Sequence, residues 1–233
     1  ATAFITILAL INFNLDGLGF EAALPRMIDT IIGCGLAWLG VTYIFPDWKF
    51  RRLPHTISRS IEAQCQYLSE IVKQYQHGRN NSLNYRIVRR AAHNRDADVA
   101  SLVSTLATEP DFDPTQKTMA FEFLCLSHTF LSYIAALGAH RDQIHDQETL
   151  KLLDQALDDI QGALLHDQRP ELSIINMQQL IRKRMNQTEE LASKELIVLQ
   201  QLQLIFSILQ QLSGLKQNLS HERDDQSTEL ASI

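Results

Sequence analysis

Past Trp48 the chain holds only four glycines and four prolines, too few to punctuate a sandwich or barrel of many short strands. No run alternates apolar and polar residues with period two and no hairpin signal appears, so sheets are excluded and the body is expected to be all-α. Cysteine is sparse as well. Cys34, Cys65 and Cys125 are odd in number and widely spaced, which excludes a disulfide framework and a cysteine metal site and suits buried thiols in a reducing compartment. No glycine-rich phosphate loop, no G-x-S-x-G elbow and no Cys beside a positioned His is present. No enzyme, catalytic residue or cofactor is therefore expected. His140 and His145 stand five apart, do not share a helix face and have no third ligand at a recognisable spacing. They read as a polar turn, and no metal site is expected.

What is present is concentrated in the first fifty residues. Apolar stretches run from Ala3 to Phe13 and from Ile31 to Phe45, and the second ends in Pro46-Asp47-Trp48 and then Lys49-Phe50-Arg51-Arg52. An apolar helix, an aromatic belt residue and a basic cluster describe a membrane helix reaching the cytoplasm, with Trp48, Lys49, Arg51 and Arg52 as interface anchors. A mean hydropathy of −0.11 hides this, because a short apolar head is diluted by a long polar body. Ala1 opens directly inside an apolar stretch, and a span needs about 20 residues. The first span therefore reads as cut and the chain as the carboxy-terminal piece of something longer. A signal peptide would need a basic leading region and a small-residue cleavage site, neither of which is here. Asn12–Glu21 is the expected outer turn. The second span is expected from Leu24 to Phe45, with Pro25 in its first turn. Arg26 and Asp29 share a face of it, and two readings stand: an arginine snorkelling to the interface, or an ion pair facing the bundle interior and lining or bracing a pathway. Gly33, Gly35 and Gly40 leave a thin surface for helix packing.

Net charge is −6, unevenly spread. From Lys49 to Arg95 ten Lys/Arg oppose only Glu62 and Glu70; from Asp96 onward ten oppose twenty-one Asp/Glu. Basic residues next to a span are retained inside the cell and attract anionic lipid head groups. This implies a multi-pass protein with a cytoplasmic carboxy-terminal domain, its lipid contacts falling near 49–95.

The body reads as successive amphipathic helices. Ile61, Cys65, Leu68, Val72 and Tyr75 form one stripe, closed by His77-Gly78. Ser82 opens a helix to about Thr108. Thr115–Gly138 is apolar on most faces and long enough for a further span, but Glu122 and His128 favour a central bundle helix. Leu150, Leu153, Leu157, Ile160 and Leu164 form the next stripe. Val198, Leu202, Ile205, Leu209 and Leu212 keep heptad spacing that suits the bundle core, or pairing with a second copy or another protein. The expected organisation is transmembrane segments over 1–48, a cytoplasmic antiparallel helical bundle over 49–219 and a disordered tail over 220–233.

Arg86, Arg89, Arg90 and His93 fall at i, i+3, i+4 and i+7 and share one face. Pairing with carboxylates of neighbouring helices is the first reading, and contact with lipid head groups or an anionic substrate the others. The acidic balance elsewhere and the lack of a binding module speak against nucleic acid.

Several of these segments resemble a known family. They are Arg26-Met27-Ile28-Asp29-Thr30-Ile31-Ile32-Gly33, Phe45-Pro46-Asp47-Trp48, the stretch from Tyr85 to Ala97, Glu109-Pro110, and Leu126-Ser127-His128-Thr129-Phe130-Leu131-Ser132-Tyr133-Ile134 with Leu137-Gly138-Ala139-His140-Arg141. Together, from about Arg26 to Arg141, they resemble the carboxy-terminal part of the YccS/YhfK branch of the fusaric acid resistance (FUSC) family of bacterial inner-membrane proteins. The resemblance implies two repeats, each a membrane bundle followed by a cytoplasmic helical domain, with this chain in the second and the remaining membrane repeats as its partners. It also implies export of aromatic or other small organic acids, with no catalytic residues. The alternative from another class is a membrane-tethered scaffold that binds a partner through its helices.

Overall fold

The computed structural model describes residues 19–40, 52–80, 82–107, 113–140, 142–166, 171–187 and 193–230. The first apolar stretch and the anchors Trp48, Lys49 and Arg51 lie outside the described residues. Among the described residues there are seven helices and no strand, so the chain is all-α. It divides into two compact units, Ala1–Trp48 and Lys49–Ile233.

The first unit contributes α1, Gly19–Leu39. Its 21 residues rise about 31 Å, the thickness of a bilayer core. The helix begins five residues before the expected Leu24, so Pro25 lies inside it rather than in its first turn. Glu21-Ala22-Ala23-Leu24 are strong helix formers and carry the helix upstream.

The second unit is a bundle of six helices: α2 Leu53–His77, α3 Leu83–Ala107, α4 Pro114–Ala139, α5 Gln147–Leu165, α6 Glu171–Asn186 and α7 Ser193–Leu230. α2 is its hub, packing against α3, α4, α5 and α7. The sequence shows why. The expected stripe from Ile61 to Tyr75 is fully buried, and Leu53, Ile57, Ala63, Tyr67 and Ile71 extend burial around the cylinder. α4 packs chiefly on α7, with α3 on its other side. α5 is clasped by α2, α6 and α7. The heptad stripe Val198, Leu202, Ile205, Leu209 and Leu212 is spent inside this core, so it does not offer a second copy or another protein a surface.

Turn chemistry sets the helix ends. Ser82 Oγ accepts from Tyr85 N at 3.2 Å to start α3, and Asp113 accepts from Gln116 N at 3.3 Å with Pro114 following to start α4. Gly78 ends α2 at φ 90°, a conformation that favours glycine, and donates to Gln74 O at 2.8 Å. The turn before α5 is stapled to that same end: Ile144 N donates to Tyr75 O at 3.0 Å and Gln143 Nε2 to Gln76 O at 3.2 Å. At the far end of α5, Ser213 Oγ and the buried Lys216 ammonium of α7 donate to Ala163 O and Leu164 O, satisfying carbonyls the helix cannot bond itself.

Three expectations change. The last helix continues to Leu230, through the first part of the segment expected to be a disordered tail; no glycine or proline after Gly214 interrupts it. The stripe of α5 centres on Thr149, Leu153, Ala156, Ile160 and Ala163, leaving Leu150 and Leu157 at its edge. Of the cysteines only Cys65 is buried, whereas Cys34 and Cys125 are exposed. Burial pushes the Cys65 thiol up to about 12, against smaller opposing help from Lys216.

By length and composition, two described helices could cross a membrane: Pro114–Ala139 and the Lys194–Ser220 part of α7. Both bury part of their apolar surface in the bundle. On α4 Phe123, Phe130, Leu131, Ile134 and Leu137 are buried, while Phe121, Glu122, Cys125, His128 and Ser132 are exposed.

Candidate functional site

Four places carry the functional argument, and the first is α1. Nearly all its described residues are exposed, Met27, Ile28, Ile31, Ile32, Leu36, Trp38 and Leu39 among them, with Ile31 and Trp38 at 67% and 66%. Such a surface suits lipid or other membrane helices. Asp29 is exposed among these residues; the side chain of Arg26, one turn before it, lies outside the described set.

The second is the outer face of α3. Arg86, Arg89, Arg90 and His93 are all exposed, as the shared face requires. None of the three arginines forms an ion pair among the described residues. The helix spends Tyr85, Ala92, Asp96, Val99 and Val103 on its neighbours, which leaves the arginines on an exposed flank. Leu83 and Ile87 are exposed on the side opposite the buried stripe. The His93 ring lies 6.5 Å from that of Tyr67.

The third is a polar seam inside the bundle that sequence reasoning did not identify. Gln64 of α2 is fully buried, and its Nε2 reaches Ser127 Oγ of α4 at 3.0 Å, Ser60 Oγ at 3.3 Å and Asp96 Oδ1 of α3 at 3.5 Å. Ser127 Oγ donates to Asp96 Oδ1 at 3.3 Å, and His128 Nδ1 meets Asp96 Oδ2 at 2.8 Å. Three helices are thereby pinned in register around one carboxylate. The available signal was Gln64, Asp96 and Ser127, each a polar residue at an inward position of its helix.

The fourth is a groove between the first turns of α2 and the second half of α3. It encloses about 340 Å³ and is lined by Arg52, His55 and Arg59 on one side and Arg95, Asp98 and Thr105 on the other. Arg52, one of the expected anchors, immediately precedes α2; no side chain caps that helix and no carboxylate stands in its first turn. Arg95 Nη1 pairs with Asp98 Oδ2 at 3.0 Å, with both side chains more than a third exposed. Among the described residues no group of three metal-ligating side chains gathers.

The sequence is 49% identical over 221 residues to inner membrane protein YccS of Escherichia coli (strain K12), across 94% of this chain and 31% of that protein. The chain belongs to the YccS-like branch of the fusaric acid resistance family. It is also 34% identical over 226 residues to an uncharacterized protein of Haemophilus influenzae, across 92% of this chain and 32% of that one. An uncharacterized protein, ORF2, of Neisseria gonorrhoeae shares 38% over 140 residues, 59% of this chain and 34% of its own. The chain spans about a third of the length of the curated relatives it matches. No protein-family model and no solved structure matches it. Membership makes the chain part of an inner-membrane protein, in keeping with the outward apolar surface of α1.

Proposed function

We propose that the whole protein exports small organic acids, aromatic ones among them, across the inner membrane by transport without catalytic chemistry. In this reading α1 is one of the helices beside the pathway, and the α2–α7 bundle is cytoplasmic. The observation that supports it is Asp29, an ionisable residue on a helix whose other outward residues are mostly apolar. Charges at membrane depth are expensive and serve pathways or helix pairing, and Arg26 stands at the spacing to share its face. The test is accumulation of aromatic acids in cells expressing the full-length protein with Arg26→Ala or Asp29→Ala. Loss of export at normal expression is expected from at least one; if both export like the parent, the pathway role belongs elsewhere.

A further inference from the structure

We propose that the outward face of α6, with the adjoining face of α7, is a two-fold interface between two copies of this chain. The inference stands apart from the export reading and starts from a gap in the charge pattern. Residues 172–181 of α6 and 196–215 of α7 include no Asp, Glu, Lys, Arg or His. Every exposed position in them is therefore apolar, amide or hydroxyl, and Leu172, Ile175, Leu180 and Leu204 are among the exposed ones, Leu172 at 78%. Neighbouring helices cover their outward faces with charge instead: Arg59, Glu62 and Lys73 on α2, Lys151, Asp154 and Asp158 on α5. Loss of charge with retained apolar and amide groups marks the centre of a contact between proteins. The two helices adjoin, Gln178 Nε2 of α6 donating to Phe206 O of α7 at 3.0 Å. The heptad stripe of α7 stays in the core and takes no part.

What meets this face follows from its two ends. Glu171 and Leu172 open the outward side of α6, Ile175 and Gln179 occupy its middle, and Arg182 and Lys183 close it, all exposed and three or four residues apart. None of Glu171, Arg182 and Lys183 forms an ion pair among the described residues. The acid and the first base are separated by about 17 Å along the helix. A two-fold axis crossing α6 midway lays it antiparallel against its counterpart. Each Glu171 then stands opposite the other copy's Arg182 and Lys183, and Ile175 and Gln179 gather around the axis. The pattern is self-complementary, as an isologous contact requires. A surface of anionic lipid would attract the two bases but be opposed by Glu171. Two copies of net charge −6 repel one another overall, and this face lets them meet without bringing further like charges together.

The experiment is light scattering after size exclusion on the full chain in a non-ionic detergent, over a series of concentrations and with the detergent mass subtracted. A dimer that dissociates on dilution is expected. Ile175→Asp sets two carboxylates beside the axis and should weaken it about a hundredfold. Glu171→Lys should weaken it about tenfold, because symmetry brings the like charges together twice. Glu171→Lys combined with Arg182→Glu and Lys183→Glu exchanges the two ends and should restore the parent's dimer, a recovery that unfolding cannot mimic. Leu83→Asp, at an exposed leucine of α3, should leave the dimer as it is in the parent. All these positions are exposed, and circular dichroism of each variant should match the parent. A chain monomeric at every concentration leaves the face to lipid or to another protein and overturns the proposal. A dimer that Ile175→Asp leaves intact, or that Leu83→Asp weakens as much, overturns it as well, because the contact then lies elsewhere. Failure of the exchanged variant to recover what Glu171→Lys loses rules out the antiparallel two-fold.

Discussion

Asp146 offers the sharpest quantitative test of the bundle. It caps α5, its Oδ2 accepting from Thr149 N at 2.9 Å and from Thr149 Oγ1, and the same oxygen takes Arg184 Nη2 of α6 at 2.7 Å. Burial raises the carboxyl's pKa, but Thr149's two bonds and the Arg184 guanidinium outweigh it and hold the group at about 2. The native value lies below the unfolded one, so the folded state binds fewer protons. The stabilisation is full above about pH 4 and is lost as pH falls towards about 2. The full linkage would be about 2 kcal/mol; with the side chain 26% exposed, screening brings it to about 1–2 kcal/mol. Asn caps a helix as well as Asp does, so Asp146→Asn removes the charge alone and should cost about 1–2 kcal/mol at pH 7. Asp146→Ala also removes the cap, about 1 kcal/mol more. Urea unfolding of the full chain in mild detergent, followed by far-ultraviolet circular dichroism from pH 7 down to pH 2, reads both. The gap between parent and Asn variant should close across that acid window, and the gap to the Ala variant should retain the capping part. An Asn variant whose deficit is the same at both ends of the range refutes the account.

Three further outcomes are expected. A Cβ at Gly138 would lie 3.0 Å from Ile71 Cδ1 and Tyr67 Oη and 3.3 Å from Tyr85 Oη, so Gly138→Val should lose about 1–3 kcal/mol by overpacking; a Tm matching the parent's removes the close α2–α4 approach from the argument. Maleimide at pH 8 should label Cys125 in the folded chain and leave Cys65, buried and pushed up to about 12, unlabelled until urea unfolds it, as peptide mapping would show; rapid native labelling of Cys65 contradicts its placement in the core. Reporter fusions at Gly78 and at Ile233 should both behave as cytoplasmic, and a periplasmic fusion at Ser220 with a cytoplasmic one at Gly78 would make Pro114–Ala139 or Lys194–Ser220 a membrane crossing.

Much of the bundle was legible because its inward positions repeat. Ile61 to Tyr75 and Val198 to Leu212 announce their faces through spacing alone, and Ser82 and Gly78 mark helix ends with residues chosen for cap geometry. The seam around Asp96 was not, since Gln64, Asp96 and Ser127 lie on three helices and nothing local says that they meet. The groove escaped for the same reason. Arg52 reads as an interface anchor until α3 brings Arg95 to the same groove.

The limits of composition are clearest where α1 and α4 are compared. α1 is 21 residues long but its apolar part is Met27–Leu39, so length and composition together favour α4 and part of α7 among the described residues. The discriminating quantity is whether the apolar side chains are covered. α1 leaves Ile31, Ile32, Leu36 and Trp38 exposed, like nearly all its described residues, whereas α4 buries Phe123, Phe130 and Ile134 and leaves Phe121, Glu122 and His128 exposed. Immersing α4 in hydrocarbon with that orientation would expose the Glu122 carboxylate to lipid at about 2.5 kcal/mol or more on insertion scales. It would also strand His128 beside Asp96 without water. Reversing the helix to face its apolar side to lipid would break Ser127 and His128 away from Asp96 and Tyr75 Oη away from Leu137 O, which it holds at 2.7 Å. The arrangement is that of a helix packed in a bundle core, and it is the physical ground for expecting both fusions to report from the same side of the membrane.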